Sequence, residues 1–181
     1  PEERLGHSAA PEMTLTENCL ITAEKRMNLS KNGVINYAQT RQLSERIISY
    51  LDVRTNGPDS LAKSLSGGNL QKFVIGRELI QNPKIFVVNQ PTWGVDAAAA
   101  SSIRQKILDL AKRGAAIVVI SQDLDELLQI SDVFFIYSNI VIFFRNSLNF
   151  IFICKPSIQF KSRFFFITYF KCICISKTPI K

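Results

Sequence analysis

A chain of 181 residues with 46% apolar side chains is long enough for one domain and apolar enough to bury a core. Its net charge of +7 comes from residues 139–181, which hold seven basic and no acidic side chains, whereas residues 1–138 hold 15 of each sign. Because the main part of the chain is neutral overall, its charge does not predict a nucleic-acid partner.

The cysteines favour a reduced, cytosolic setting. Only Cys19 lies outside the last 43 residues, and Cys154, Cys172 and Cys174 lack the paired spacing of a metal site. The polar, acidic start of the chain has no signal-peptide pattern, and the absence of an initiator Met is expected of a fragment.

The first 63 residues predict two helices separated by polar segments. Thr14, with Glu17 three residues later, is typical of a helix that begins after an extended segment. Apolar residues at helical spacing predict an amphipathic helix over 36–51, which ends before the turn residues at 56–59. Its buried stripe would be Leu43, Ile47, Tyr50 and Leu51.

The stretch 64–79 predicts a loop that leads into a helix N-terminus. Ser66, Gly67 and Gly68 stand directly before a run of helix formers, and the helix is predicted to end near Gln81 because Asn82-Pro83 follows. Two glycines allow close backbone approach, and the first helix amides and the helix dipole favour an anion such as phosphate. A Ser N-cap after a glycine-rich turn is the alternative interpretation of these three residues.

A strand, a helix and a second strand follow in close succession. The β-branched run 85–88 is typical of a parallel strand buried on both faces. The apolar periodicity over 97–113 predicts a helix with Gly114 as its C-terminal cap, and 115–120 predicts the second strand. A unit of this length predicts a right-handed crossover between two parallel strands.

Polar residues stand at the carboxyl ends of both predicted strands, which is the sheet edge where ligands bind. Asn89-Gln90 follows the first strand, and Ser121-Gln122 follows the second. Residues 123–126 have capping-box spacing and predict a short helix, and a further strand is predicted over 133–137.

The composition changes abruptly after about residue 138. The last 43 residues contain no Gly, Ala, Asp or Glu, but nine of the thirteen Phe and nine Ile. Arg145, Asn146 and Asn149 interrupt the apolar runs, so these are too short to span a bilayer. We expect an aberrant basic tail over 139–181 that is not folded, with a membrane anchor or a nucleic-acid arm as alternatives.

Three motifs in this order resemble the second half of an ATP-binding cassette (ABC) ATPase: LSGGNLQK at 65–72, PTWGVD at 91–96 and SQDLDE at 121–126. The similarity covers about residues 1–138 and is closest to importers of simple sugars or nucleosides. It implies an α/β fold, a partial P-loop NTPase cassette without its Walker A half. A helical subdomain would span about 12–63, and the signature helix and core strands 64–138.

The resemblance assigns roles to particular residues. The family has an acidic pair at the positions of Asn89 and Gln90, and commonly a His at that of Gln122. An amide cannot supply negative charge to Mg²⁺ or take a proton from water, so these three catalytic positions are degenerate. No glycine is followed by Lys, so the phosphate-gripping GxxxxGK motif is also absent. The residues implied to contact ATP are Ser66, Gly67, Gly68, Asn69, Gln71 and Asp96.

The function implied is therefore that of a truncated second cassette, which contributes its signature motif to ATP hydrolysis at a partner cassette. ATP and Mg²⁺ would be bound mainly by that partner, and the chain alone would be inactive. Permease subunits would be the other partners, at the cytoplasmic face of the inner membrane, with no nucleic acid involved. The alternatives are a nonfunctional product of a truncated or frameshifted transporter gene, and a DNA-repair or chromosome ATPase head. The latter would be expected to retain the carboxylates and to continue into a coiled coil, but no heptads are present.

Overall fold

The computed structural model describes residues 4–132 and, for backbone only, the strands at 134–137 and 171–176. The α-helices in these residues are α1 (Leu15–Ala23), α2 (Tyr37–Tyr50), α3 (Gly67–Leu79), α4 (Ala97–Lys112) and α5 (Leu124–Ile130). The strands are β1 (Ser30–Lys31), β2 (Val34–Ile35), β3 (Ile85–Asn89), β4 (Ala116–Ser121), β5 (Phe134–Tyr137) and β6 (Lys171–Ser176).

Helix α1 begins where the sequence predicts. The Thr14 hydroxyl accepts a hydrogen bond from the Glu17 amide at 3.1 Å, and the Glu17 carboxylate accepts one from the Thr14 amide at 2.8 Å. This reciprocal pair is the predicted capping box, and it satisfies amides that the helix itself leaves without partners.

The segment before α1 is held by buried polar contacts. The Asn18 side chain is fully buried, and it bonds the amide and the carbonyl of Ala10 at 2.8 and 3.1 Å. The buried Arg77 guanidinium on α3 donates to the Asn18 carbonyl at 3.2 Å and to the Ser8 carbonyl at 2.9 Å. The N-terminal segment is therefore fastened directly to α3.

A small antiparallel hairpin, β1 with β2, was not predicted. Its two-residue turn is Asn32-Gly33, and both residues have positive φ, 52° and 78°. Asn-Gly between short strands is a strong hairpin signal because both turn positions require φ above zero.

Helix α2 follows its predicted apolar stripe: Leu43, Ile47 and Leu51 are buried, and Tyr50 is half-buried against the same core. It lies close to α3 at Gly76, where an added Cβ would stand 3.2 Å from methyl carbons of both Ile47 and Leu51. The missing side chain allows the two helices to approach closely, which fixes α3 against the helical part of the chain.

Strands β3 and β4 are parallel and adjacent, as predicted, with Phe86 paired to Ile117 and Val88 to Val119. These four residues are buried in the same core cluster as the apolar face of α4. The prediction that β3 is buried on both faces was wrong. Ile85 is 70% exposed and Val87 63% exposed, because in the described residues the helices cover only one face of this edge strand.

The tail contributes a strand to the same sheet, in the order β3-β4-β6-β5. Strand β6 is antiparallel to both neighbours, with Cys174 paired to Val119 on one side and to Phe134 on the other. At 171–176 the structure therefore differs from the expectation of an unfolded tail, because Lys-Cys-Ile-Cys-Ile-Ser forms a strand with a partner on each side. The rest of 139–181 lies outside the described residues. No helix in the part of the chain that the structure describes is long and apolar enough to cross a membrane.

A proline in β6 tests whether this strand is part of the folded sheet. We expect Ile173→Pro to lower the free energy of unfolding by about 1–3 kcal/mol, because it removes an amide donor from a strand paired on both sides. Urea titration would measure the change, with Ile180→Pro, beyond the strand, as the matched control. If both variants are as stable as the parent, residues 171–176 do not belong to the folded sheet.

Candidate functional site

The turn over 66–68, here named the signature turn, stands at the N-terminus of α3. The first hydrogen bond of the helix runs from the Leu70 amide to the Ser66 carbonyl at 2.9 Å, so the amides of residues 67–69 precede the helical ladder. Ser66 occupies the N-cap position, but its side chain caps no helix amide. Its hydroxyl instead accepts a hydrogen bond from the Asn69 side chain at 2.9 Å. Ser66 is therefore the N-cap by position, as the alternative interpretation has it, but without a side-chain bond to a helix amide.

Gly68 lies against the loop that follows β3, residues 90–96, here named the strand-end loop. A Cβ at Gly68 would stand 3.0 Å from the Gly94 carbonyl oxygen and 3.7 Å from the Val95 Cα. Since both are backbone atoms, a side chain at this position would push the signature turn away from the strand-end loop.

The buried Gln71 side chain connects α3 to the strand-end loop. Its amide nitrogen donates to the Gln90 carbonyl and to the Pro91 carbonyl, both at 3.0 Å. Both donor hydrogens are thus used within the chain, and Gln71 holds α3 against the end of β3. Its implied contact with nucleotide stays a prediction.

The three positions that the resemblance predicts to be degenerate, Asn89, Gln90 and Gln122, lie at the carboxyl ends of β3 and β4. Asn89 pairs in register with Ile120, and the Gln90 amide donates to the Ile120 carbonyl at 2.7 Å. Gln90 has a positive φ of 51°, and its side-chain oxygen accepts a long hydrogen bond, 3.5 Å, from the Gln122 amide. The structure therefore brings Gln90 and Gln122 together, as expected for the ends of neighbouring parallel strands.

A buried carboxylate lies behind this edge. Glu126 is 1% exposed, and its carboxylate accepts a hydrogen bond from the Ser121 hydroxyl at 2.6 Å. The predicted capping box at 123–126 is half formed. Asp123 accepts from the Glu126 amide at 3.1 Å, but the Asp123 amide donates to Ser121, which takes the place expected for the Glu126 side chain.

Asp96 ends the strand-end loop and caps α4. Its carboxylate accepts a hydrogen bond from the Ala99 amide at 2.8 Å. That bond, with a smaller contribution from the nearby positive charge of Lys72, holds the pKa of Asp96 below its usual value. The carboxylate is charged and exposed at neutral pH, and its implied place at an interface with another cassette stays a prediction.

The two sides of this site differ in the ligands they fit. The signature turn offers a hydroxyl and helix-terminal amides, which suit a phosphate group. The sheet edge offers amide side chains, and in the described residues no group of three or more His, Cys, Asp or Glu could hold a metal ion. The helix end therefore offers donors that suit an anion, whereas Asn89, Gln90 and Gln122 offer a metal ion only neutral amide oxygens.

Sequence reasoning missed one residue at this site. Arg4 lies beside the signature turn, and its guanidinium donates a hydrogen bond to the Trp93 carbonyl. The two residues are 89 positions apart, so no local pattern joins them. The sequence shows a glycine at position 94, and the structure shows that it takes a positive φ of 64° in a tight turn beside Arg4.

No protein-family model matches the chain. Curated relatives do: the glucose import ATP-binding protein TsgD13 of Haloferax volcanii is 36% identical over 134 residues, 73% of this chain and 24% of that protein. The nucleoside import ATP-binding protein NupA of Lactococcus lactis is 37% identical over 73% of this chain and 26% of that protein. The ribose import ATP-binding protein RbsA of Geobacillus kaustophilus is 39% identical, over 72% and 26%. The chain thus spans about a quarter of the length of these relatives.

Solved structures show the same fold. A dimeric ATP-binding cassette in a post-hydrolysis state with ADP and phosphate has a TM-score of 0.55 and 21% identity, covering 67% of this chain and 52% of that one. An ATP-binding subunit of an ABC transporter has a TM-score of 0.51 and 21% identity, covering 68% and 48%. The fold is that of an ATP-binding cassette. The chain belongs to the ABC ATPases, and it aligns with ATP-binding proteins of sugar and nucleoside importers.

Replacing Gln71 tests the link between α3 and the strand-end loop. We expect Gln71→Leu to lower the free energy of unfolding by about 1–3 kcal/mol, because it leaves two carbonyls near the core without their donor. Thermal or urea unfolding would measure it. Gln105→Leu is the matched control, since Gln105 is an exposed glutamine that bonds Asp109 on the surface of α4. Equal small losses in the two variants would contradict the role given to Gln71.

Proposed function

We propose that this chain is the C-terminal part of the second cassette of a sugar or nucleoside ABC importer. In this proposal it completes the nucleotide site of a partner cassette and hydrolyses little or no ATP at its own. One observation carries the proposal: the signature turn is formed, and it lies next to a sheet edge with Asn89, Gln90 and Gln122. At these three positions the family has two acidic residues and commonly a histidine. The organisation proposed is a helical subdomain over about 12–63 followed by core elements over 64–138.

The chemistry available at the signature turn is stabilisation of negative charge. A phosphoryl group in transfer carries charge on its oxygens, and donors already in position lower the cost of that charge. The Ser66 hydroxyl and the amides of residues 67–69 are such donors, and the α3 dipole adds partial positive charge at the same point. The Asn69 side chain holds the Ser66 hydroxyl in place from the first turn of the helix.

The sheet edge supports the second half of the proposal. Activation of water for attack on ATP requires a base or a group that orients the water, and a magnesium ion requires oxygen ligands that carry charge. Asn89, Gln90 and Gln122 supply neutral amides, and the nearby Glu126 carboxylate is buried against Ser121. These residues support a chain whose own site does not hydrolyse ATP and whose signature turn acts at the site of a partner.

The partners follow from the same proposal. The relatives are named for the import of glucose, nucleosides and ribose, so we propose a sugar or nucleoside importer as the setting. The chain would meet a second cassette through the signature turn and permease subunits through its helical subdomain, at the cytoplasmic face of the membrane.

The chain by itself should bind Mg²⁺-ATP weakly. The side chains predicted to face the metal, Asn89, Gln90 and Gln122, are neutral amides, and no glycine is followed by a lysine that could grip the phosphates. Isothermal calorimetry of the chain should show no binding at micromolar ATP. The double variant Asn89→Asp, Gln90→Glu tests whether the missing carboxylates alone explain weak binding. It should bind Mg²⁺-ATP as weakly as the parent, because carboxylates without a phosphate-gripping loop should not restore affinity. Micromolar binding by the parent chain would contradict this part of the proposal.

Substitution of Ser66 tests action in trans. Removing one preformed donor typically costs about 2.7–4 kcal/mol of transition-state stabilisation, on the order of a hundredfold in rate or more. We expect Ser66→Ala to reduce phosphate release by a reconstituted complex of first cassette, permease and this chain, with nucleotide binding nearly unchanged. Gly68→Asp should reduce it further, because its side chain adds negative charge and meets the Gly94 carbonyl.

Two controls separate this effect from general damage. Ser101→Ala changes an exposed serine on α4 and should leave the rate unaltered. Gln90→Glu changes only the sheet edge of this chain and should matter less than Ser66→Ala. If Gln90→Glu alters the rate while Ser66→Ala and Gly68→Asp do not, the proposed division of work is reversed. A complex that never forms would favour the nonfunctional gene product.

A further inference from the structure

The Arg4 guanidinium occupies the space beside two glycines in different parts of the site. Its Nη2 donates to the Trp93 carbonyl in the strand-end loop. A Cβ added at Gly67 would lie 2.8 Å from Arg4 Nη1, and one added at Gly94 would lie 2.9 Å from Arg4 Nη2. One side chain therefore touches both the signature turn and the strand-end loop.

Hydrogen bonds of the neighbouring backbone fix the main chain of Arg4. Its carbonyl accepts hydrogen bonds from the Ser8 amide at 3.1 Å and the Ala9 amide at 2.8 Å. The Ser8 carbonyl in turn accepts from the buried Arg77 guanidinium on α3 at 2.9 Å. Arg4 thus belongs to a tight turn that is attached to the same helix whose N-terminus its side chain touches.

Electrostatics does not account for this position. The N-terminus of α3 carries partial positive charge, which repels a cation, so the helix dipole does not hold Arg4 there. Burial also lowers the pKa of the Arg4 guanidinium below its usual value. The Trp93 carbonyl is the acceptor that holds the group, and a planar guanidinium holds its donors in a fixed geometry that a lysine lacks.

The glycine at position 67 also indicates that the space beside it belongs to Arg4. Gly67 does not have a left-handed φ, so its backbone does not require glycine, and alanine is normally preferred inside a helix. The neighbour that a Cβ would meet at Gly67 within 4 Å is Arg4 Nη1. The space left by the missing side chain is the space that the guanidinium fills.

We propose that Arg4 is a positioning residue, a brace that fixes the signature turn relative to the strand-end loop. The role in catalysis rests on the proposed function, since the donors of the turn act in trans only if they are held in place. The contact geometry itself does not depend on that function, so the two can be tested separately.

A double-mutant cycle on the full chain tests the brace. With Arg4 present, Gly67→Ala should lower the melting temperature, because the new methyl group displaces a guanidinium that is held. In the Arg4→Ala background the same change should raise the melting temperature, because alanine replaces glycine in a helix with free space around it. Gly68→Ala is the matched control and should lower it in both backgrounds, since its Cβ meets the Gly94 carbonyl and not Arg4.

The opposite result has a clear meaning. The end of an arginine side chain can swing away at little cost when nothing holds it. If Gly67→Ala raises the melting temperature equally in both backgrounds, Arg4 is not a brace and the proposal is overturned.

Trp93 offers a spectroscopic readout because it is the single tryptophan of the chain. Release of its carbonyl should lower the fluorescence anisotropy of Arg4→Ala and Arg4→Lys relative to the parent. An unchanged anisotropy would overturn the contact. In the reconstituted complex, both variants should reduce kcat for phosphate release several-fold with KM for Mg²⁺-ATP unchanged.

The outcomes distinguish the two proposals. If Gly67→Ala and Arg4→Ala are coupled in stability but the Arg4 variants have an unaltered kcat, the positioning role of Arg4 is overturned. Coupling in the cycle together with no effect of Ser66→Ala would overturn action in trans and leave the brace standing.

Discussion

Two hydrogen bonds from the buried amide of Gln71, each 3.0 Å long, hold helix α3 against the carbonyls of Gln90 and Pro91. These bonds determine where the signature turn stands relative to the sheet. Gly68 permits the close contact on one side of the junction, and Arg4 spans it on the other. Because the junction is made largely from backbone atoms and glycines, few side chains could replace those present without moving one segment away from the other.

The junction separates two kinds of chemistry over a short stretch of chain. Donors collect at the helix end, where negative charge is favoured, and neutral amides collect at the sheet edge, where a metal or a general base would need charge. The nearest buried carboxylate, Glu126, is turned towards Ser121. In the proposed function, a site arranged in this way stabilises an anion that another molecule holds, while the amides at its own strand ends carry no charge for a metal.

Elements with strong local signals were predicted well from the sequence. The capping box at Thr14, the apolar stripe of α2 and the cap at Gly114 each depend on a few neighbouring residues, and the structure confirms all three. The exposed face of β3 could not be predicted, because an apolar run does not reveal whether a second layer covers it.

Long-range contacts at the site were harder to predict than the motifs themselves. The signature turn and the strand ends were located by their residues, but the contact between Arg4 and Trp93 spans 89 positions and follows no periodicity. The tail strand was missed for a different reason. Its abrupt change in composition led to the expectation of an unfolded tail, yet strand pairing is made by the backbone, and a segment of alternating β-branched residues can pair with an open strand edge.

The place of β6 in the sheet has a consequence for how the protein is made. Val119 pairs with Cys174, so the inner edge of β4 stays open until a segment more than fifty residues later has been synthesised and has closed a long loop. Folding of the sheet is therefore expected to be slow and to finish last, as is usual when strand pairs are distant in sequence. During that interval an apolar strand edge is available to other chains, and we expect the nascent chain to depend on chaperones until β6 has paired.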